Sequence, residues 1–213
     1  MKIALIGATG FIGSRILDEA ANRGHEVTAL VRHPERVPER PLVTPSRVDV
    51  HTTGALADLL AGHEAVISAF STDKDSPDVY GSMTAGHKSI IAATKRAGVS
   101  RLLAVGGAGS LEVAPGRQLV DEPDFPEAWK PGALATREFL YSLREEPLLD
   151  WTFLCPARVI QPGERTGKFR LGDDQLLLDA AGGSLISVED YAVAMIDELE
   201  SPGHRRRRFT VAY

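Results

Sequence analysis

Residues 1–13 read MKIALIGATGFIG, and the fold turns on how this stretch divides. Ile3, Ala4, Leu5 and Ile6 form a short apolar run bounded by glycine, the signature of a strand buried on both faces of a parallel sheet. Gly7, Gly10 and Gly13 then recur every third residue. Beyond them, Ile16, Leu17, Ala20 and Ala21 place apolar side chains along one helical face. Strand, glycine turn and helix in this order supply what a dinucleotide-phosphate loop needs. Gly7 permits the tight turn, Gly10 lets the backbone approach a pyrophosphate, and Gly13 lets helix and strand pack closely. Backbone N–H groups at the helix start would hold the anion. The candidate contacts are Gly7, Thr9, Gly10, Phe11 and Ile12.

The chain of 213 residues, 43% hydrophobic, fits one large domain. No apolar run reaches the about 18 residues of a membrane span, and the first apolar run enters a glycine loop rather than a cleavage site. A cytoplasmic location is expected. The single cysteine, Cys155, excludes an internal disulfide and offers no Cys/His grouping for a metal, so no metal site is expected. A net charge of −5 argues against nucleic acid as a partner. The one basic run, Arg205–Arg208, reads as a solvated strand approach or a carboxylate-pairing edge.

Along the chain, Gly24 can end the first helix, and His25–Val31 reads as a second strand. Arg32 follows it. In dinucleotide folds this position faces the adenosine ribose, where an acid would bond the 2′-hydroxyl and an arginine accommodates a 2′-phosphate. With Arg32, His33 and Arg36 and no acid at that point, NADP(H) is favoured over NAD(H), the alternative being a solvated surface arginine. Further strands are predicted at 47–50, 65–69, 101–105 and 151–155, with helices over 54–60, 83–97 and 134–144 and a loop over 72–78. Ligands in such sheets bind outside the carboxyl ends of the strands, which places Ala69 and Phe70 at the cofactor's middle. Gly106, Gly107 and Pro156 fall beside its nicotinamide, with Ser110 the one weak catalytic candidate. The segment 111–130, rich in proline and acid, is an excursion over the site or a plain packed loop. In the last third, 167–171 and 175–178 flank a GDD turn like a hairpin, and 185–186 is a short strand. Ser187 with Asp190 resembles a capping box opening a helix over 188–199, and 209–213 is a terminal strand. The fold class is α/β: a Rossmann-type doubly wound parallel sheet, one domain over 1–213, with a small lobe from about 111–130 and 156–186.

The GATGFIG motif resembles the short-chain dehydrogenase/reductase superfamily in its extended and atypical branches. The whole chain is similar to the bacterial NADH-flavin reductase-like group, related to biliverdin reductase B-like and NmrA-like proteins. VRHPER at 31–36, GGAGSLEVAPG at 106–116, CPARVIQPGERTGKFRLG at 155–172 and ISVEDYAVAMIDELE at 186–200 carry that similarity. The resemblance implies an NAD(P)H-binding Rossmann protein. It also implies that Asp49 and Val50 are the acid–hydrophobe pair lying along the adenine, although Asp49 equally suits a helix cap before Thr52 and Thr53. The superfamily's YxxxK acid/base pair is missing. Four residues after Tyr80, Tyr141 and Tyr191 stand Thr84, Glu145 and Met195. Hydride delivery to a flavin or quinone needs less than alcohol chemistry does, because the acceptor ring is an electron sink and solvent can supply the proton. Two functions remain: an NADPH-dependent reductase of such a small-molecule acceptor, or a non-catalytic NADP(H)-binding redox sensor of the NmrA-like type.

Overall fold

The computed structural model describes residues 1–72 and 75–213. The expected loop over 72–78 therefore includes two residues, 73 and 74, outside the described ones. In chain order the elements are β1 (Lys2–Ile6), α1 (Phe11–Asn22), β2 (Glu26–Val31), β3 (Val43–Arg47), α2 (Thr53–Leu60), β4 (Ala65–Ser68), α3 (Val79–Arg96) and β5 (Arg101–Val105). There follow β6 (Glu112–Ala114), β7 (Arg117–Gln118), α4 (Lys130–Arg144), β8 (Asp150–Cys155), β9 (Val159–Gln161), β10 (Arg170–Gly172), β11 (Leu185–Ser187), α5 (Val188–Glu200) and β12 (Arg207–Ala212). Eight strands form the main sheet in the order β10-β12-β8-β5-β4-β1-β2-β3, parallel throughout except for β10. Strand order reverses at β1, which lies between β2 and β4, and such a switch point opens a crevice at the strands' carboxyl ends.

Apolar periodicity decides which helix covers which face. Ile16, Leu17 and Ala20 of α1 meet Tyr191, Met195 and Leu199 of α5 on one side. Leu56 and Leu60 of α2, Ile90 and Ala93 of α3, and Phe139 and Leu140 of α4 fill the other. Tyr191 is wholly buried and donates its hydroxyl to the Leu154 carbonyl at 2.7 Å.

The expected third strand at 47–50 is displaced. Val43–Arg47 pairs with Val27–Val31. Val48 and Val50 are buried among the residues beneath α2, so their apolar character reflects that packing. Pro45, which cannot donate to a ladder, is tolerated because β3 is an edge strand. The hairpin expected over 167–178 does not form. Arg170–Gly172 instead pairs antiparallel with Thr210–Ala212. Gln175 bridges Glu112, because Asp173 and Asp174 are drawn to Arg207 and Arg208 on β12. Helices α3 and α4 begin four residues earlier than the sequence suggests. Asp78 caps α3 by accepting from the Gly81 N–H at 2.8 Å, and a proline sits in the first turn of α4.

The segments 111–130 and 156–186 carry two small sheets, β6 with β7 and β9 with β11. Arg165 forks onto the buried Glu19 of α1 with two bonds of 2.7 Å. Glu189 accepts from the Gly163 N–H and from Arg15. Ser187 accepts from the Asp190 N–H at 3.0 Å, as the capping pattern suggests, but the Asp190 carboxylate faces the lobe and accepts from Thr166, Gly167 and Tyr213. The arginine run is spent on pairing: Arg205 on Asp150, Arg206 on the Pro147 carbonyl, Arg207 on Asp173, and Arg208 on Asp174.

Candidate functional site

The glycine loop crosses from β1 to α1 at the switch point. Gly7 has φ +80°, a left-handed conformation that favours glycine, and a Cβ there would lie 2.5 Å from the Ala69 carbonyl oxygen. A Cβ on Gly13 would overlap the Gly7 carbonyl oxygen and stand 3.3 Å from the Ala69 Cβ. Gly10 is different. Its φ of −75° suits any residue, its only near neighbour is the Gly7 carbonyl oxygen at 3.3 Å, and it is exposed. No side chain caps α1 and no acid lies in its first turn. The first helical bond outside α1 runs from the Ser14 N–H to the Gly10 carbonyl, which leaves the N–H groups of Phe11, Ile12 and Gly13 without a protein acceptor among the described residues. A concave loop with uncapped N–H groups at the positive end of a helix fits an anion such as a pyrophosphate. Thr9 and Phe11 are exposed beside it, and Ile12 is half-buried.

At the end of β2, Arg32 and Arg36 are exposed, and their guanidinium groups have no ion-pair or hydrogen-bond partner among the described residues. Only two other arginines share that condition, Arg96 and Arg158. The rest hold carboxylates or carbonyls. The exposed Asp49 accepts from the His51 N–H at 3.0 Å, and the carbonyl of the buried Val50 accepts from Ser89 at 2.6 Å.

Between the two ends of the crevice, the Ala69 N–H donates to the Ile6 carbonyl, and the half-buried Phe70 meets His87 edge-on at 5.7 Å. His87 stacks on Phe139 at 4.2 Å, and burial pushes it down to about 4, against the Ala135 carbonyl that favours its proton. It is a neutral wedge in the core. The Gly106 N–H donates to the Leu154 carbonyl at 2.7 Å, and a Cβ on Gly106 would overlap the Phe153 ring. A Cβ on Gly107 would lie 3.4 Å from the Thr136 methyl, and one on Gly132 would lie 3.7 Å from Met83 Sδ. Thus α4 presents Gly132 and Thr136 toward the ends of β5 and α3, where the sequence pointed to no residue; the glycine in KPGA was the only cue. Pro156 is buried at the end of β8. Ser110, the weak catalytic candidate, is 1% exposed and bonds the Gly107 carbonyl at 3.1 Å, while Arg208 holds its own carbonyl. It braces the turn from behind and has no open face. Burial pushes the Cys155 thiol up to about 11.

A model of the NAD(P)H-binding family matches residues 7–202, a span that begins at Gly7 and ends after α5. The chain belongs to the NAD(P)H-binding family. Solved structures within reach of this member include a Bacteroides thetaiotaomicron protein named provisionally as an epimerase, 48% identical over 100% of this chain and 96% of that one, TM-score 0.93. A Burkholderia pseudomallei protein named provisionally as exported is 47% identical over the whole of both chains, TM-score 0.90. A Streptococcus pneumoniae protein named provisionally as an NADH-flavin reductase is 37% identical over 100% and 99%, TM-score 0.86. No helix among the described residues of this NAD(P)H-binding protein is long and apolar enough to cross a membrane.

Proposed function

We propose that this protein is an NADPH-dependent reductase that delivers hydride to a flat redox-active acceptor, a flavin or a quinone. The observation that carries the reading is that the nearest side chain α4 sets against the Gly107 turn is Thr136, whose methyl would lie 3.4 Å from a Cβ on Gly107, and not the tyrosine or lysine of an acid/base pair. Tyr191 cannot serve as an acid, since it is buried and bonded to Leu154, and burial drives its hydroxyl well above its usual value. When bound, the reduced nicotinamide supplies a hydride, two electrons and one proton equivalent. The second proton comes from solvent, so acceptor plus NADPH plus H⁺ gives reduced acceptor plus NADP⁺. The chain's own part is to bind and orient. The N–H groups of Phe11, Ile12 and Gly13 hold the pyrophosphate, Gly10 leaves it room, and Arg32 with Arg36 takes the 2′-phosphate. Asp49 and Val50 flank the adenine, Ala69 and Phe70 the middle, and Gly106, Gly107 and Pro156 the nicotinamide. The name of the similar Streptococcus pneumoniae protein agrees with hydride transfer to flavin. A cytoplasmic location goes with dependence on NADPH and with a lone buried thiol.

The test is steady-state NADPH oxidation with and without FMN, riboflavin and quinones. Acceptor-dependent turnover, faster with NADPH than with NADH, is expected. Tight NADPH binding with no oxidation by any of them overturns the reading in favour of a redox sensor.

A further inference from the structure

Between β9 and β10 the chain runs through residues 162–168, PGERTGK, in neither strand nor helix, with every residue exposed and no apolar side chain apart from the proline. What fastens this strap is polar. Among the described residues its hydrogen bonds to the rest of the chain end on four side chains. The Gly163 N–H donates to Glu189, Arg165 to Glu19, and Thr166 with the Gly167 N–H to Asp190, while the Glu164 carbonyl accepts from the Ser187 hydroxyl at 2.8 Å. The strap also borders a cavity of about 270 Å³, whose other wall includes Leu185, Ser187 and Tyr213. A segment held by exposed hydrogen bonds, with few apolar contacts behind it, opens at a smaller free energy than the core of the sheet.

One of those four partners belongs to the cofactor loop as well. Glu189 stands in the first turn of α5, where one carboxylate oxygen accepts from the Gly163 N–H at 2.8 Å and the other from Arg15 Nε at 3.0 Å. Arg15 lies one turn along α1 from Phe11, whose N–H, with those of Ile12 and Gly13, has no protein acceptor among the described residues. That end of α1 has no side-chain cap and no acid in its first turn, so an anion placed there is what completes it. Two printed-length bonds thus join the strap to the turn that binds the pyrophosphate. The other carboxylates do not reach it: Glu19 holds Arg165 two turns from Phe11, and Asp190 bonds no residue of α1 among the described ones.

We propose that Glu189 is a positioning residue for the cofactor: through Arg15 it couples closure of the strap to binding of the pyrophosphate at α1. Each event fixes the first turn of α1, so whichever comes first lowers the entropy that the other must lose, and the coupling is positive. By reciprocity, opening the strap weakens cofactor binding by the factor with which the cofactor closes the strap. This rests on the placement of the pyrophosphate given above and is indifferent to whether hydride is then transferred. The experiment follows hydrogen–deuterium exchange of residues 162–168 with and without saturating NADPH, in wild type, Glu189→Gln, Arg15→Gln and the double variant. Calorimetric NADPH affinity and the urea midpoint are measured for each. An amide has one acceptor oxygen where the carboxylate has two, so Glu189→Gln drops one of its two ties. Arg15→Gln leaves Gly163 on Glu189 and removes the arm to α1. NADPH should slow exchange in the wild-type strap about fivefold or more. In either single variant it should leave exchange unchanged and bind more weakly by up to the same factor, with the urea midpoint near wild type. The double variant should do no more than either single one, since all three break one path. A wild-type strap indifferent to bound NADPH overturns the coupling and leaves the loop assignment standing. Slowing by NADPH that persists in both single variants reduces Glu189 to a structural tie and overturns it as well. Wild-type protein that binds no NADPH overturns the loop assignment together with the coupling.

Discussion

Gly10 and Gly13 look interchangeable in the sequence, yet the structure assigns them opposite sensitivities. An alanine at position 13 would drive its Cβ into the Gly7 carbonyl oxygen and to 2.9 Å from the Gly7 carbonyl carbon, with the Ala69 Cβ at 3.3 Å. These neighbours are backbone and core, so relief requires α1 to move off β1. Overpacking of this kind costs about 3 kcal/mol or more, which should lower the urea midpoint by about 1 M. An alanine at position 10 meets only the Gly7 oxygen at 3.3 Å, in a conformation open to any residue. The poorer cap and the less flexible unfolded chain roughly offset, so stability should stay within about 1 kcal/mol of wild type. Its methyl would nevertheless intrude where the pyrophosphate approaches the helix N-terminus. Losing one charge-assisted bond there should weaken NADPH binding about ten- to a hundredfold. Urea unfolding paired with calorimetric NADPH titration checks both variants. Undiminished affinity in a folded Gly10→Ala protein would refute the loop assignment, and wild-type stability in Gly13→Ala would refute the close packing.

Arg32→Ala should lower affinity for NADPH by about ten- to a hundredfold and leave NADH nearly unchanged. Calorimetry at fixed ionic strength decides it, and an equal fall for both cofactors would return Arg32 to a structural role. The Arg165 hydrogen bond, aided by Arg23 and opposed by burial, holds the Glu19 carboxyl below the usual carboxylate range. Its stabilisation is therefore complete above the unfolded value and lost as pH falls through the folded one. Glu19→Gln should cost about 1–3 kcal/mol at pH 7, and the gap should close in urea titrations as pH falls below the usual carboxylate range. A gap independent of pH would mean that packing alone is at stake. With its thiol pushed up to about 11 and fully buried, Cys155 should react with a thiol reagent only at the rate of global opening, and immediate labelling of the native protein would contradict this.

The start of the fold is legible because several constraints coincide within thirteen residues: a doubly buried strand, three spaced glycines and an amphipathic helix. Helices and central strands follow from local periodicity, and Arg32 from its place after β2. What the sequence withholds depends on distant partners. Val48 and Val50 look like strand residues because α2 covers them, whereas β3 itself, VTPSR, has no apolar pattern and is found only through its register with β2. The turn at Asp173 and Asp174 gives no hint that Arg207 and Arg208, more than thirty residues later, choose its strand's partner. Ser110 sits beside a glycine turn, the usual place for an active hydroxyl, and only the fold reveals that β8 and Arg208 bury it. The surface made by Gly132 and Thr136, with His87 buried behind it, arises where α3 meets α4, which no local pattern encodes.

The two rims of the main sheet carry one further consequence. At one rim, Pro45 interrupts the row of donors that a newcomer would need. At the other, the strand that closes the sheet is three residues long, runs against its neighbour and has Arg170 anchored on the Tyr213 carbonyl. A fibril or a continuous sheet between copies requires a long, flat, open ladder, and neither rim offers one. Self-association of the folded protein is thus steered away from strand addition and toward its helical faces.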